Sequence, residues 1–210
     1  MANTFSPFGF RSFGRQDGGS PTAGMTTFNL LSSDSNAYFT GDVVSLSSNA
    51  TVPGYITLPA SGSTIGSPIA GIFVGCEYYN PTTARKEWHP TFPGSVGSSS
   101  PGKAYVITDP DQLFTVQCTT TAVVGTSCIG FNVGIASSLQ TSGNTTTGQS
   151  YLALNSSTVT GNSSFPFRIV DTSSNHAPPG VNGADSTVAG AIVVVQMNNC
   201  MRRALTAVST

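Results

Sequence analysis

From Gln112 to Phe167 the chain carries no Asp, Glu, Lys or Arg. That stretch constrains the fold more than any other feature. A segment so rich in Ser, Thr, Gly and Asn is either low-complexity disorder or a set of strands with neutral, hydroxyl-bearing surfaces. Disordered segments combine high net charge with few bulky apolar residues. Here 38% of residues are hydrophobic, net charge is −1 and only 8% of residues are charged, against about 25% in an ordinary soluble domain. An isolated soluble domain normally carries more charge. The expectation is therefore a β-rich body whose neutral surface is partly covered by neighbours.

Short β-type runs alternate with turn residues from Ala37 onward. Strands are expected near 37–46, 54–60, 68–79, 103–109, 112–119, 128–136, 150–160, 166–172 and 189–199. In QLFTVQC, Phe114, Val116 and Cys118 alternate with Thr115 and Gln117, as in a half-buried antiparallel strand. VPG, SGS, NPT, DPD, TSGN and PPGVNG supply turn chemistry between them. No useful 3.6-residue apolar period occurs, so the fold class is all-β, an antiparallel β-sandwich or barrel-like domain. Residues 1–35 read as an extended N-terminal arm and 36–210 as the body, with long loops at 80–102 and 137–149. The run Ile192–Val195 puts apolar bulk on both faces of one strand, which makes that strand central or covered by a partner.

The opening MANTFSPFGFRSFGRQDGGSPTAG holds Phe5, Phe8, Phe10, Arg11 and Phe13, broken by Pro7, Gly9 and Gly14. It shows neither helical nor clean strand periodicity, and it lacks the unbroken apolar region of a secretory signal. Its aromatic residues are expected to find partners on the body or on another subunit. No apolar run approaches the roughly 20 residues of a membrane helix. A pI near 6.0 gives no basic field for nucleic acid, and neither a nucleic-acid nor a membrane partner is expected.

Catalytic chemistry has little to work with. His89 and His176 stand in EWHP and SNHAPP, away from any nucleophile motif. Asp109 and Asp111 form a DPD pair without the further carboxylates of a calcium loop, and they read as a turn. No phosphate-binding glycine motif occurs. Cys76, Cys118, Cys128 and Cys200 include no CxxC pair, which argues against zinc. They read as small buried thiols, although Cys118 and Cys128 could face one another across a hairpin. The sequons at Asn49, Asn144, Asn155 and Asn162 are chance products of a Ser/Thr-rich chain. No catalytic residue, cofactor or metal is expected. Tyr78, Tyr79 and Trp88 form the one aromatic group suited to a sugar, which leaves a glycan-binding β-module on a phage or cell surface as an alternative.

PFGFR, SSDSNAYFTGDVV, GIFVGCEYYNP and KAYVITDPDQLFTVQ, with the terminal AIVVVQMNN, together resemble the small head decoration, or cement, proteins of tailed phages. The resemblance rests on order and spacing, and region 119–165 has no counterpart in it. It implies a non-enzymatic structural protein on the outer capsid surface of a virion, made in the host bacterial cytoplasm. Such a protein cements neighbouring subunits of the major capsid protein. Phe5, Phe8, Phe10 and Phe13 would be anchors, and Arg11 would pair with a carboxylate. Apart from the resemblance, the loop 78–94 sets Arg85-Lys86 beside Glu87, Trp88 and His89, and reads either as a solvated hairpin tip or as a further contact with Trp88 as its anchor and Arg85 paired to an acidic group. The run containing Ile192 and Val194 suggests burial against a neighbour, and with the three-fold and quasi-three-fold junctions of capsid surfaces this implies a homotrimer with cyclic closure.

Overall fold

The computed structural model of the chain describes residues 3–20, 24–47, 54–59, 68–97, 100–172 and 185–203. In chain order the strands are β1 (Arg11–Arg15), β2 (Met25–Leu30), β3 (Tyr38–Phe39), β4 (Val43–Leu46), β5 (Ile56–Thr57), β6 (Ile69–Asn80) and β7 (Arg85–His89). They continue with β8 (Thr91–Phe92), β9 (Gly102–Ile107), β10 (Gln112–Gln117), β11 (Asn132–Val133), β12 (Phe167–Thr172) and β13 (Ile192–Met197). One sheet runs β1-β10-β13-β12-β11 and a second runs β2-β9-β6-β4-β5, with β7 paired to the far end of β6. All the pairings between these strands are antiparallel. The two sheets pack against each other, so the protein is an all-β, sandwich-like fold.

Alternation explains the core between the sheets. Phe114 and Val116 of β10 meet Val193, Val195 and Met197 of β13, Phe167 and Ile169 of β12, and Ile72 and Ile107 of the second sheet. The second sheet is apolar on its other face too. There Ala70, Phe73, Cys76 and Tyr78 of β6 join Ala104 and Val106 of β9 under Tyr38 and Phe92 of the small β3–β8 ribbon. Bulges make this possible, because register shifts in β6 against both β4 and β9 reset which side chains share a face.

The connections explain how so few charges suffice. Asn144 accepts the amides of Thr146 and Thr147, Asn155 that of Ser157, and Asn162 that of Ser164. These three sequons are thus Asx turns, in which a short side chain satisfies the backbone locally. The DPD pair behaves the same way, with the Asp111 amide donating to Asp109 Oδ1 at 3.0 Å. Asn49 and His176 lie outside the described residues.

Several expectations need correction. Residues 1–35 hold two strands, β1 and β2, one in each sheet. Phe10 is 4% exposed and belongs to the core between the sheets. Gly9 and Gly41, both with left-handed backbone, let the opening segment cross the β3–β4 turn, where the Phe10 amide donates to Gly41 O at 3.0 Å. The buried Gln117 brackets the segment further upstream, accepting from the Ser6 amide and donating to Thr4 O. Of the two destinations expected for the opening segment, Phe10 takes the body, and β1 and Gln117 meet partners about a hundred residues along the chain, where local periodicity carries no trace of them.

The segment 80–102 is not a long loop, since it contains β7, β8 and the start of β9. Loop 137–149 has no strand and opens with a 3-10 turn at Ser137–Leu139. The expected strand at 150–160 is absent. Leu152, Ala153 and Leu154 are buried, but Leu154 bridges Cys118 and Ile135 only singly before a 3-10 turn at Ser156–Thr158. The run Ile192–Val195 is double-faced because β13 lies centrally between β10 and β12. Val194 is 2% exposed and Ile192 is half-buried within one chain, so neither needs a neighbouring subunit to cover it.

Candidate functional site

Past Ile72 and Ile107 the inward face of the second sheet continues beyond the sandwich core. Directly opposed residues of an antiparallel pair share a face, and the register therefore assigns this one. Gly75 opposes Tyr105, Glu77 opposes both Lys103 and Trp88, and Tyr79 opposes Lys86. Trp88, Tyr79, Lys86 and Lys103 are exposed, and Tyr105 and Glu77 are half-buried. Three aromatic rings and two lysines thus share one uncovered sheet surface.

Trp88 is its centre, with 58% of its surface exposed, more than any other large apolar residue described. The indole lies against Gly75, where an added Cβ would come within 2.7 Å of Trp88 Cζ2. The absence of a side chain at position 75 is what gives the ring a flat seat. Beside it opens a cleft of about 400 Å³ lined by Phe8, Arg11, Val74, Trp88, Pro90 and Gln149. Here the structure joins expected contact residues that are far apart in sequence, because Phe8, Arg11 and Trp88 line the same cleft. The Arg11 guanidinium lies 5.0 Å above the Phe8 ring, a cation–π contact that holds it at the rim.

Charge reinforces the pattern. Of the 8 lysines and arginines, Arg15 and Arg203 pair with Asp109 and Asp111, and Arg168 bonds to Asn132 and Asn198. Among the described residues Arg11, Arg85, Lys86, Lys103 and Arg202 have no ion pair. Four of these five lie on the Trp88 face, its hairpin or its cleft. Glu77 is the one carboxylate on the face, and the Tyr105 hydroxyl donates to it at 3.4 Å.

The hairpin tip is internally braced. Glu87 accepts from the Thr83 hydroxyl, from Asn80 Nδ2 at 3.1 Å and from His89 Nε2 at 3.0 Å. These bonds, Thr83's foremost, lower its carboxyl to about 2. His89 stacks on Tyr78 with centroids 5.1 Å apart, so it is part of the packing.

The remaining sequence candidates do not gather at this face. Arg85 sits at the hairpin end opposite Asn80, out of step with Trp88 and Lys86, so its side chain does not share their surface. Tyr78 is buried in the second core, and the Tyr78–Tyr79–Trp88 platform expected for a sugar is not assembled. Phe5 and Phe13 are exposed, at 41% and 47%, but neither lines the cleft. Phe10 borders the cleft with its ring committed to the core. The four cysteines are free thiols, and burial pushes Cys76 and Cys118 up to about 12. Lys103, Tyr105 and Gly75 were absent from the sequence candidates, and only the β6–β9 register reveals them. No group of three metal-ligating side chains occurs among the described residues, and no helix there is long and apolar enough to cross a membrane. Comparison of the chain with family models, with curated proteins and with solved structures found no match in any of the three.

Proposed function

We propose that this chain is a non-enzymatic structural protein that attaches to the outside of a phage capsid and cements neighbouring subunits of the major capsid protein. The virion setting comes from the sequence resemblance to phage head decoration proteins. The observation that supports docking is the uncovered Trp88 face, with a seated aromatic at its centre and cations without ion-pair partners around it. Desolvated aromatic anchors of this kind cost about 2 kcal/mol or more when truncated. The opening segment contributes through Arg11 and Phe8 at the cleft, while Phe10 fixes the segment to its own body. The expected homotrimer keeps only the three-fold junctions of a capsid surface as its ground, since the run Ile192–Val195 is accommodated inside one chain.

The test is decoration of capsids by purified protein. Trp88→Ala is expected to lower occupancy and the heat resistance of decorated particles, with the variant's own melting temperature little changed. Wild-type occupancy and heat resistance for that variant would sink this reading.

A further inference from the structure

The charge arrangement around Trp88 bears on the chemistry of whatever docks there, an inference that rests on the docking reading above. We infer that the partner presents a protein surface bearing separated carboxylates, which meet Lys86, Lys103 and Arg11 around the Trp88 anchor.

The chain as a whole is slightly acidic, with net charge −1, yet this face and cleft gather three cations against Glu77 alone. Two of the chain's carboxylates, Asp109 and Asp111, pair instead with Arg15 and Arg203. Surface cations left unpaired beside an exposed aromatic patch are the complement of an acidic, partly apolar partner, and such complementarity sets encounter rate and register. The geometry suits carboxylates carried on flexible side chains better than a phosphate backbone. Glu77 sits opposite both Trp88 and Lys103, so a continuous phosphate chain crossing the aromatic seat would pass over a carboxylate. On a protein surface, individual Asp or Glu side chains can reach the lysines while an apolar patch covers the indole.

Trp88 is the single tryptophan, so its emission reports directly on this face. The full-length protein is titrated with poly-L-glutamate, oligo(dT) and sialyllactose at low ionic strength. Poly-L-glutamate is expected to shift Trp88 emission saturably, with the response abolished by added salt. Lys86→Glu/Lys103→Glu should weaken that response at least about tenfold and create a response to poly-L-lysine that the wild type lacks. No response to poly-L-glutamate would overturn the inference. So would tighter binding of oligo(dT) at equal charge concentration, or a response to sialyllactose alone. Capsid decoration separates the two claims. If Trp88→Ala loses occupancy while Lys86→Glu/Lys103→Glu keeps it, docking stands and the acidic partner falls. If both decorate like wild type, docking itself falls.

Discussion

Phe10 stacks on Phe167 with ring centroids 4.4 Å apart and planes 27° from parallel. Phe114 meets the same ring edge-on at 6.4 Å. An opening segment that looks detachable in sequence therefore supplies one ring of a three-aromatic cluster between the sheets. Phe10→Ala is expected to destabilise the body by about 3–5 kcal/mol, the usual cost of emptying a buried phenylalanine site. Chemical denaturation measures it. A loss below about 1 kcal/mol would show that the ring is not part of the core.

Asp42 makes stability depend on pH in a direction opposite to that of most carboxylates. It is 1% exposed, accepting the Phe39 amide at 2.7 Å and the Ser150 hydroxyl at 2.5 Å. Burial outweighs both bonds and raises its carboxyl to about 7, well above the usual aspartate range. The folded state thus holds the proton more tightly than the unfolded chain. This contribution is fully present below about 4 and is lost as pH rises through about 7, at up to about 1.4 kcal/mol per pH unit within that window. Asp42→Asn should remove the dependence, so the stability difference between wild type and variant narrows or reverses between pH 4 and 8. Parallel stability curves for the two proteins would contradict the assignment.

Gly75 gives the docking face a conformational test. A methyl group there would press on Trp88 Cζ2 at 2.7 Å and on His89 O at 3.0 Å. The exposed indole is free to swing, so Gly75→Ala is expected to cost about 1–3 kcal/mol and to displace the ring. Its emission maximum should shift and capsid occupancy should fall. An unchanged emission spectrum would mean that the ring does not rest on position 75.

The strands that were legible in sequence are those whose own alternation carries the signal. β10 shows Phe114 and Val116 against Thr115, and β6, β9, β12 and β13 fall where the runs of apolar residues put them. β1 and β2 were not legible because their partners, β10 and β9, are far along the chain, and Arg11–Arg15 has one exposed aromatic and no apolar face. The site was half legible. Trp88 stood out by chemistry in a chain so poor in charge, and Arg11 and Phe8 by composition. Their convergence depends on the β6 bulge, whose register shift between Phe73 and Gly75 puts Tyr78 on the β3–β8 side of the sheet and Tyr79 on the Trp88 face. No local pattern marks that shift, so the sequence gives no sign that Tyr78 and Trp88 lie on opposite faces. The same shift hid Lys103 and Tyr105 from the candidate set.

The most direct test of the account is a cryo-electron microscopy map of a capsid decorated with this protein. It should show the β6–β7 hairpin and β9 against the major capsid protein, with Trp88 buried and acidic side chains beside Lys86 and Lys103. A map in which Trp88 faces solvent while another surface makes the contact would contradict it.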